Sequence, residues 1–561
     1  MKRLNVKRLA RDRQKGNMAG KTRYICLLLG TMIAFSFILT GCSGSPDKLN
    51  GNANDTPSGI PLEEMVTEEY ELPIVKEPFV LTFATAENPH ASSSYTSNLP
   101  AWQELEKRTG VTVKFEVAPS DQYNTTMQTR LAAGTDLPDL IRLPGDPIRY
   151  VNGGLIIPID ELIGKYAPNI ISLFKERPEV KKAMTAPNGR IYTLSAVVDA
   201  RSMVNLNGLG MRKDWLETLG LEEPDTIEEW YNVLVAFKEQ DPNDNSKKDE
   251  IPVIAINTNG LYKLAWSYGL HLYLSEGWYP NEDGKIVYEW IEPRMKDWLQ
   301  EMNKWYETGL IDPDMNTQNR DKYTAKAIGD VAGASVSDMT MQFPQWNERM
   351  AKDYPHARWE GIVPPEGPYG DRIMEREQPT ENTHYAITKD CKNPEVVIKW
   401  LDYMYASRDG QILMGNFGLE GLSYEMVDGE PRFTDFILKH ELGSGLAQNV
   451  LGVNGNFPRI LMREMIEQRF LQYEGEVAQS NKATQYYVPS FPRVLATKEE
   501  TDSFIRIMAD IDTYKDGMVI KFIQGKESLD KFDQYVKSVK NMGIDEAIAI
   551  KQAQYDRYMR Q

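Results

Sequence analysis

Cysteine and histidine are scarce in this chain. Its 561 residues include three cysteines, Cys26, Cys42 and Cys391, and only Cys391 lies in the body of the protein. No disulfide can therefore form within the body, and no paired cysteines are present to build a zinc or redox site. The five histidines are scattered and lack the H-E-x-x-H spacing of a zinc protease.

Signatures of catalysis and of nucleic-acid binding are also missing. The sequence has no G-x-S-x-G motif and no glycine-rich phosphate loop. Its 81 carboxylates leave a glycosidase pair open, because such a pair is recognised by its separation in space. Beyond residue 41 there are 55 basic and 80 acidic residues, a net charge of −25, which argues against nucleic acid as a partner.

The N-terminus has the pattern of a bacterial export signal. Basic residues precede an apolar stretch at residues 24–39, which is short for a membrane-spanning helix. The stretch ends in Leu39-Thr40-Gly41-Cys42, which resembles the lipobox of bacterial lipoproteins. We therefore expect a signal peptide at residues 1–41 and lipidation of Cys42, which holds the body on the outer face of the cytoplasmic membrane by the lipid anchor only. An uncleaved anchor is the alternative, and Met1 and Met18 are both possible starts.

The next segments predict a tether and then a layered α/β region. Residues 42–77 are rich in Ser, Gly, Asn, Pro and Glu and lack apolar periodicity, which is typical of a flexible linker. Strands are then expected at 80–85, 111–117 and 140–143, and helices that stop at glycine at 99–109 and 122–133. Strand–helix–strand units with short connections predict a parallel sheet covered by helices.

A second α/β region follows Met211. Thr226 and Glu229 form a capping box that opens a helix over 226–239, and a strand is expected at 251–256. Helical spacing places Trp230, and Trp400 in a later helix, in the core rather than against a ligand. A chain of 561 residues is too long for one compact core, so two or more lobes are expected.

Seven segments, in order from residue 132 to residue 536, resemble one family. They are AAGTDLPDLI (132–141), GLIIPIDELIGKYAPN (154–169), RKDWLETLGL (212–221), DPNDNSKKDEIP (241–252), TKDCKNPEVVIKWLDYMY (388–405), FGLEGLSY (417–424) and FIQGKESLDKFDQYV (522–536). They resemble the large lipoprotein branch of the extracellular solute-binding proteins. This branch includes alginate-oligosaccharide-binding proteins and the lipoproteins that accompany Lpl-type permeases.

The resemblance implies an α/β, two-lobed periplasmic-binding-protein-like fold of type II, with discontinuous lobes and a ligand cleft between them. By analogy, lobe 1 comprises residues 78–205 plus about 365–410, and lobe 2 comprises 206–364 plus about 411–561. The implied function is that of a non-catalytic, monomeric receptor that captures an oligosaccharide and delivers it to the permease subunits of an ABC importer. A surface polysaccharide-degrading enzyme and a calcium-stabilised adhesion lipoprotein are the alternatives.

Oxygen-bearing side chains recur on alternate residues of the loop 241–250. Asp241, Asn243, Asn245 and Asp249 stand at positions 1, 3, 5 and 9, and Lys247 at position 7 can offer its carbonyl, a spacing that suits Ca²⁺. An EF-hand loop has Gly at position 6 and Glu at position 12, where this chain has Ser246 and Pro252. In the resembling solute-binding proteins a pair like Asp249-Glu250 replaces that Glu, which implies a structural calcium site. A polar turn between helix and strand is the alternative.

Ligand candidates follow from the chemistry of sugars, whose C–H faces stack on aromatic rings and whose hydroxyls bond to polar side chains. Trp266, Trp278, Trp346 and Tyr385 lie in loop-like contexts and are expected to stack on sugar rings. Asp338 and Glu420 are expected to hold hydroxyls. For each of these residues a structural role is the alternative.

Overall fold

The computed structural model describes residues 71–88, 93–198, 200, 208–337, 342–441, 443–470 and 481–561. These residues all belong to one compact unit, Pro57–Gln561. The predicted signal peptide, Cys42, most of the tether, the expected lobe boundary at 205–206 and Asp338 lie outside the described residues. None of the helices within these ranges combines the length and the apolar composition that crossing a membrane requires.

A five-stranded sheet organises the first lobe. Its strands are β1 (Phe79–Ala86), β2 (Val111–Ala118), β3 (Leu140–Leu143), β4 (Thr193–Leu194) and β12 (His384–Ile387). They lie in the order β2-β1-β3-β12-β4, with β1 parallel to β2 and β3, and β12 antiparallel to β3 and β4. The strand β12 therefore pairs with β3, which lies some 240 residues earlier in the chain, so the lobe is built from segments that are far apart in sequence.

A four-stranded sheet organises the second lobe. Its strands are β5 (Leu209–Arg212), β6 (Ile251–Ile254), β9 (Ala332–Ser335) and β10 (Trp359–Ile362). They lie in the order β10-β5-β9-β6, with β6 parallel to β9, and β5 antiparallel to β9 and β10.

Three two-stranded pairs complete the strands within the described ranges. They are β7 (Trp278–Pro280) with β8 (Ile286–Tyr288), β11 (Met374–Arg376) with β15 (Tyr487–Pro489), and β13 (Tyr424–Val427) with β14 (Glu430–Phe433). The β11 and β15 pair is parallel and lies where the chain passes between the two sheets. Ser490 donates a hydrogen bond of 2.7 Å to the carbonyl of Arg376 and holds the two segments together.

Helices cover both sheets, and their ends follow local sequence chemistry. Helix α1 stops at Gly110, whose φ of 74° is left-handed and whose N–H bonds to the carbonyl of Glu106. Helix α8 opens with the predicted capping box between Thr226 and Glu229. The α-helices are α1 (Pro100–Thr109), α2 (Tyr123–Ala133), α3 (Ile148–Asn152), α4 (Asp160–Tyr166), α5 (Pro168–Glu176), α6 (Pro178–Met184), α7 (Lys213–Leu219), α8 (Ile227–Glu239), α9 (Thr258–Leu261), α10 (Pro293–Glu307), α11 (Arg320–Ile328), α12 (Gln342–Met350), α13 (Pro394–Leu401), α14 (Arg408–Gln411), α15 (Asp435–Leu438), α16 (Ser444–Leu451), α17 (Arg463–Phe470), α18 (Lys498–Ile523), α19 (Phe532–Asn541) and α20 (Ile544–Arg560).

Each lobe has its own hydrophobic core. The first core surrounds Phe83 and includes Trp400, whereas the second includes Trp230, Trp298 and Trp305. Trp230 and Trp400 are both fully buried, as their helical spacing predicts. Separate cores are what two lobes require if they are to move relative to one another.

The second half of the chain contributes more to the first lobe than we expected. Ile412, Phe433, Val453 and Ile466 pack in the first core, although residues from about 411 onward were assigned to lobe 2. The physical reason is that the helical stretch from Pro394 to Ala406 ends at Ser407, where Arg408–Gln411 and the π-helical segment Ile412–Asn416 begin, and the elements after them remain against the same core. The chain enters the second core for the last time with α18, at Ile507.

Candidate functional site

The carboxyl ends of parallel strands form the edge where open α/β sheets bind ligands. In the first lobe β3 is followed by a loop that carries Asp146, and in the second lobe β6 is followed by α9. Thr501, in the first turn of α18, donates a hydrogen bond of 3.0 Å from its Oγ1 to Oδ2 of Asp146. The two lobes therefore touch beside the carboxyl end of β3.

A cavity of about 340 Å³ lies on the second lobe next to this contact. It is enclosed by α9, by the segment 272–278 and by α18. Aromatic rings and charged or amide groups alternate around it, which is the composition of a sugar site. The lining residues are Asn259, Tyr262, Leu272, Tyr273, Glu276, Trp278, Trp290, Phe504, Met508, Asp512, Lys515 and Asp516.

Lys515 organises the charged side of the cavity. Its Nζ lies 3.1 Å from Oδ1 of Asp516 and 3.5 Å from Oδ1 of Asp512, and 4.5 Å from the centroid of the Trp290 ring. Burial raises the pKa of Asp512, and Lys515 opposes that rise. The cavity thus presents carboxylate oxygens, which accept hydrogen bonds, beside an ammonium group, which donates them.

The aromatic side of the cavity is held by hydrogen bonds and ring contacts. Trp290 donates from Nε1 to the carbonyl of Glu276 at 2.8 Å, and its ring meets that of Tyr262 edge-on at 4.9 Å between centroids. Burial, reinforced by Asp516, raises the pKa of Tyr262 beyond its usual range. A neutral tyrosine hydroxyl can both donate and accept a hydrogen bond.

The start of α9 positions the amide of Asn259. Thr258 donates from its backbone N–H and from Oγ1 to Oδ1 of Asn316, at 3.0 and 2.9 Å. These two bonds fix the first turn after β6, so Asn259 enters the cavity from a rigid support.

The structure disperses the residues that we predicted as ligand contacts. Trp266 is fully buried and donates from Nε1 to Oε2 of Glu375 at 3.1 Å. Trp346 is 2% exposed and packs with Phe343 and Trp359 behind the second sheet. Covered ring faces of this kind are not available to stack on a sugar.

The remaining candidates differ in their surroundings. Tyr385 is 4% exposed in β12 and packs edge-on against Phe83 of the first core. Glu420 is exposed in the turn before β13, on the first lobe. Trp278 is also buried, but it lines the cavity, and among the predicted contacts within the described ranges it is the one that does so.

Sequence reasoning did not identify Tyr262, Tyr273, Trp290 and Asn259 as site residues. The signal for Asn259 was present, since the polar run Asn257-Thr258-Asn259 directly follows an expected strand and so stands at a carboxyl edge. The three aromatic residues have no comparable local signal.

The acidic loop between α8 and β6 is folded around its own oxygen atoms. Asp241 accepts from the N–H groups of Asn245 and Ser246 at 3.1 and 2.9 Å. Oδ1 of Asn243 also accepts from Asn245 N–H at 3.2 Å, and Nδ2 of Asn245 donates to Asp249 at 3.0 Å. Ser246 adopts φ of 60°, so it takes the left-handed conformation that the glycine of an EF-hand loop supplies.

The donor set of this loop fits a hard cation. Oε1 of Glu250 is buried and has no hydrogen-bond partner, and burial together with Asp249 and Asp241 raises the pKa of this carboxyl group. A bound cation would give Oε1 of Glu250 a partner and would favour the charged form of its carboxyl group. No group of three or more His, Cys, Asp or Glu side chains stands ready to hold a metal anywhere in the described ranges. The loop differs from such a group because amide oxygens of Asn243 and Asn245 make up part of the set, and Ca²⁺ accepts these as ligands.

Comparison with known proteins identifies the family. The sequence profile of the bacterial extracellular solute-binding proteins matches residues 89–411. The chain belongs to this family. The recognition based on the seven sequence segments is thereby confirmed.

Individual relatives extend the similarity over most of the chain. The fructooligosaccharide ABC transporter substrate-binding protein FusA of Streptococcus pneumoniae is 29% identical in an alignment of 524 positions that covers 86% of this chain and 91% of FusA. The crystal structure of the alginate-binding protein AlgQ2 without calcium ion superposes with a TM-score of 0.70 at 27% identity, covering 87% of this chain and all of AlgQ2.

A second crystal structure is that of a FusA EF-hand mutant in complex with fructo-nystose, with a TM-score of 0.67 at 25% identity, covering 86% of this chain and 99% of that protein. These likenesses confirm the α/β, two-lobed periplasmic-binding-protein-like fold.

Proposed function

We propose that this protein is a lipid-anchored receptor that captures an oligosaccharide outside the cell and hands it to the permease subunits of an ABC importer. Its membership of the solute-binding family, whose members are typically non-catalytic, supports a receptor without turnover. FusA and AlgQ2, named for the glycans they bind, are similar to this chain over nearly their whole lengths. Leu39-Thr40-Gly41-Cys42 supports anchoring by lipid on Cys42.

The observation that carries the proposal is the aromatic and polar cavity at the contact between the lobes. The partly exposed ring of Tyr273 offers a face or an edge to sugar C–H groups, whereas Asn259, Asp512 and Lys515 offer hydrogen bonds to hydroxyls. A pocket lined by rings with a few polar groups that fix orientation is a general ligand-binding arrangement. We infer that one end of the glycan is held on the second lobe in this cavity.

Closure of the lobes would complete the site. The bond between Thr501 and Asp146 joins α18, which lines the cavity, to the first lobe. A ligand that contacts both lobes binds the closed arrangement more tightly than the open one, and this difference in affinity shifts the equilibrium toward closure. The hydrogen bond between Thr501 and Asp146 further stabilises the closed arrangement, although it is not itself a contact with the sugar.

The test is a thermal-shift and calorimetric titration with neutral fructo-oligosaccharides and with alginate oligosaccharides. We expect at least one class to raise the melting temperature by mass action. Asp512→Asn and Asn259→Ala should weaken that ligand about tenfold or more, which corresponds to roughly 1.4 kcal/mol. Asp530→Asn, a matched loss of charge at an exposed residue just before α19, should leave binding unchanged.

The result that would reject the receptor is a polymer that releases product in the presence of the protein while no oligosaccharide changes the melting temperature. That outcome would instead favour a surface polysaccharide-degrading enzyme.

We also propose that the loop 241–250 binds Ca²⁺ in a structural role. Side chains of Asp241, Asn243, Asn245, Asp249 and Glu250, with the carbonyl of Lys247, would hold the ion. The ion would supply positive charge beside Glu250, whose Oε1 is buried and has no hydrogen-bond partner. The loop enters β6 at its amino end, opposite the edge that carries α9, so we assign it to stability rather than to ligand contact.

A further inference from the structure

A long groove crosses the second lobe outside the sugar cavity. Its volume is about 850 Å³, it runs along α10, and the start of α8 and the turn at 368–369 form its other walls. It shares no lining residue with the cavity on α18. The lining residues are Ile227, Glu228, Tyr268, Asp297, Gln300, Glu301, Asn303, Lys304, Glu307, Thr308, Pro368 and Tyr369.

The groove carries an excess of negative charge. Glu228, Asp297, Glu301 and Glu307 line it, against Lys304 as the opposing cation. The side chain of Lys304 is held against the wall of the groove by two contacts: its Nζ lies 3.1 Å from Oε1 of Glu301 and 3.6 Å from the centroid of the Tyr231 ring. The charge of the open groove is therefore acidic, and a cationic group would be attracted to it.

Tyr268 lines this acidic groove beside Tyr369, with 6.5 Å between the centroids of the two rings. The residue is 3% exposed. Burial, then the charges of Glu301 and Asp297, raise the pKa of Tyr268 above its usual range. A tyrosine hydroxyl can accept a hydrogen bond, so it offers an acceptor to a donor that enters the groove.

Tyr369 forms a rigid wall at the same end of the groove. Its ring is 49% exposed, and its hydroxyl donates to Oδ2 of Asp297. Arg294 lies 4.7 Å from the ring centroid and pairs with Asp371 at 2.7 Å, so one side of the ring is fixed from behind. The exposed part of the ring and the second oxygen of Asp297 remain for a ligand.

The size and position of the groove suit a peptide segment. From Asp297 to Thr308 the wall of α10 is about 16 Å long, which corresponds to about five residues of extended chain. The groove begins at the N-terminus of α8. Helix α8 is followed by the loop 241–250 and then by β6, so the N-terminus of α8 lies at the same edge of the sheet as the carboxyl end of β6. The sugar cavity lies at that edge. A protein docked here would reach the edge at which a ligand leaves.

We propose that this groove is a docking surface for an arginine-bearing segment of a partner protein. A planar guanidinium can donate to Asp297 and to the Tyr268 hydroxyl at once while it packs against Tyr369, which a lysine ammonium does less well. Gln300 and Glu228 provide further acceptors for the neighbouring backbone and side chains. The preference for a cation does not depend on which sugar the protein binds.

The experiment measures binding of a fluorescein-labelled, end-capped peptide of four Arg-Gly repeats to the whole protein by anisotropy at low salt. We expect binding that weakens with added salt, at least tenfold weaker binding to the double variant Asp297→Asn with Glu301→Gln, and roughly threefold weaker binding to Tyr268→Phe. The matched control is the double variant Glu425→Gln with Asp428→Asn in the exposed hairpin of the first lobe, which should bind as the wild type does.

Three results would overturn the proposal. The first is equal loss of binding in the groove variant and in the hairpin control, because binding would then report only net charge. The second is equal affinity for an otherwise identical peptide of four Lys-Gly repeats or of four Glu-Gly repeats. The third is full binding by Tyr268→Phe and by the double groove variant when their melting temperatures match the wild type. The oligosaccharide-induced thermal shift of each variant should remain, which separates this result from any failure of the sugar site.

Discussion

Removing one carboxylate from the acidic loop should have opposite effects with and without calcium. In the metal-free protein, Glu250→Gln removes a charge that is repelled by Asp249 and Asp241 and whose Oε1 is buried without a hydrogen-bond partner. We expect the variant to be more stable than the wild type in a chelator, by about 1 kcal/mol, at the low end of the cost of an unsatisfied buried group. With Ca²⁺ at about a hundred times its dissociation constant, the wild type should gain about 2.7 kcal/mol, and the variant should lose most of that gain.

Differential scanning calorimetry in EGTA and in millimolar Ca²⁺ measures both effects. For a cooperative unit of about 200–250 residues the gain of the wild type corresponds to roughly 5–10 °C. The pKa of Glu250 is raised in the folded state, so its charge destabilises the metal-free protein above that pKa, and the difference from Glu250→Gln should vanish as the pH falls below the usual 4.5. Glu239→Gln, an exposed change at the end of α8, is the control. Equal Ca²⁺ shifts in wild type and Glu250→Gln would refute the metal site and favour a polar turn.

Three further predictions address the lobes and their cores. Thr501→Val removes the hydroxyl that donates a hydrogen bond to Asp146. We expect sugar binding about threefold to tenfold weaker, with little change in the melting temperature of the unliganded protein. Unchanged affinity in calorimetry would contradict a role of this hydrogen bond in closure. Trp346→Ala should cost about 3–5 kcal/mol of unfolding free energy in denaturant titration yet keep the oligosaccharide-induced shift, whereas loss of binding at full stability would restore Trp346 as a ligand contact. Burial lowers the pKa of His384 to about 4, so the stability that the neutral imidazole contributes is present above pH 6.5 and is lost as the pH falls toward 4. His384→Gln should therefore flatten that part of the curve of unfolding free energy against pH. An unchanged slope would show that other groups cause it.

Local chemistry in the sequence predicted the strands and helices between residues 79 and 143, and helix α8, well. The capping box at Thr226 and Glu229 and the glycine stop at Gly110 appear where they were expected, because such signals depend on neighbours within a few residues. The metal-binding pattern of the loop 241–250 is local in the same sense.

The ligand contacts could not be predicted in this way, because burial depends on distant segments. Trp266 lies in the 3₁₀ helix Tyr262–Tyr268, in which every residue is buried, so the segment has no polar face to reveal its packing. In α12, Pro344 suggests a loop, yet Phe343, Trp346 and Met350 are spaced for one buried helix face. Glu375, which holds Trp266, is more than a hundred residues away along the chain, and no spacing rule connects them.

The insertion of β12 between β3 and β4 determines when this protein can fold. A chain that is threaded through a secretion channel emerges from its N-terminus, and β3 and β4 reach the outside long before residues 384–387 do. Until then the middle of the first sheet has open edges on both sides, which can pair with any other extended chain nearby. Translocation must therefore deliver about two thirds of the polypeptide before the first lobe can close its sheet, and the unpaired edges of β3 and β4 need protection during that interval.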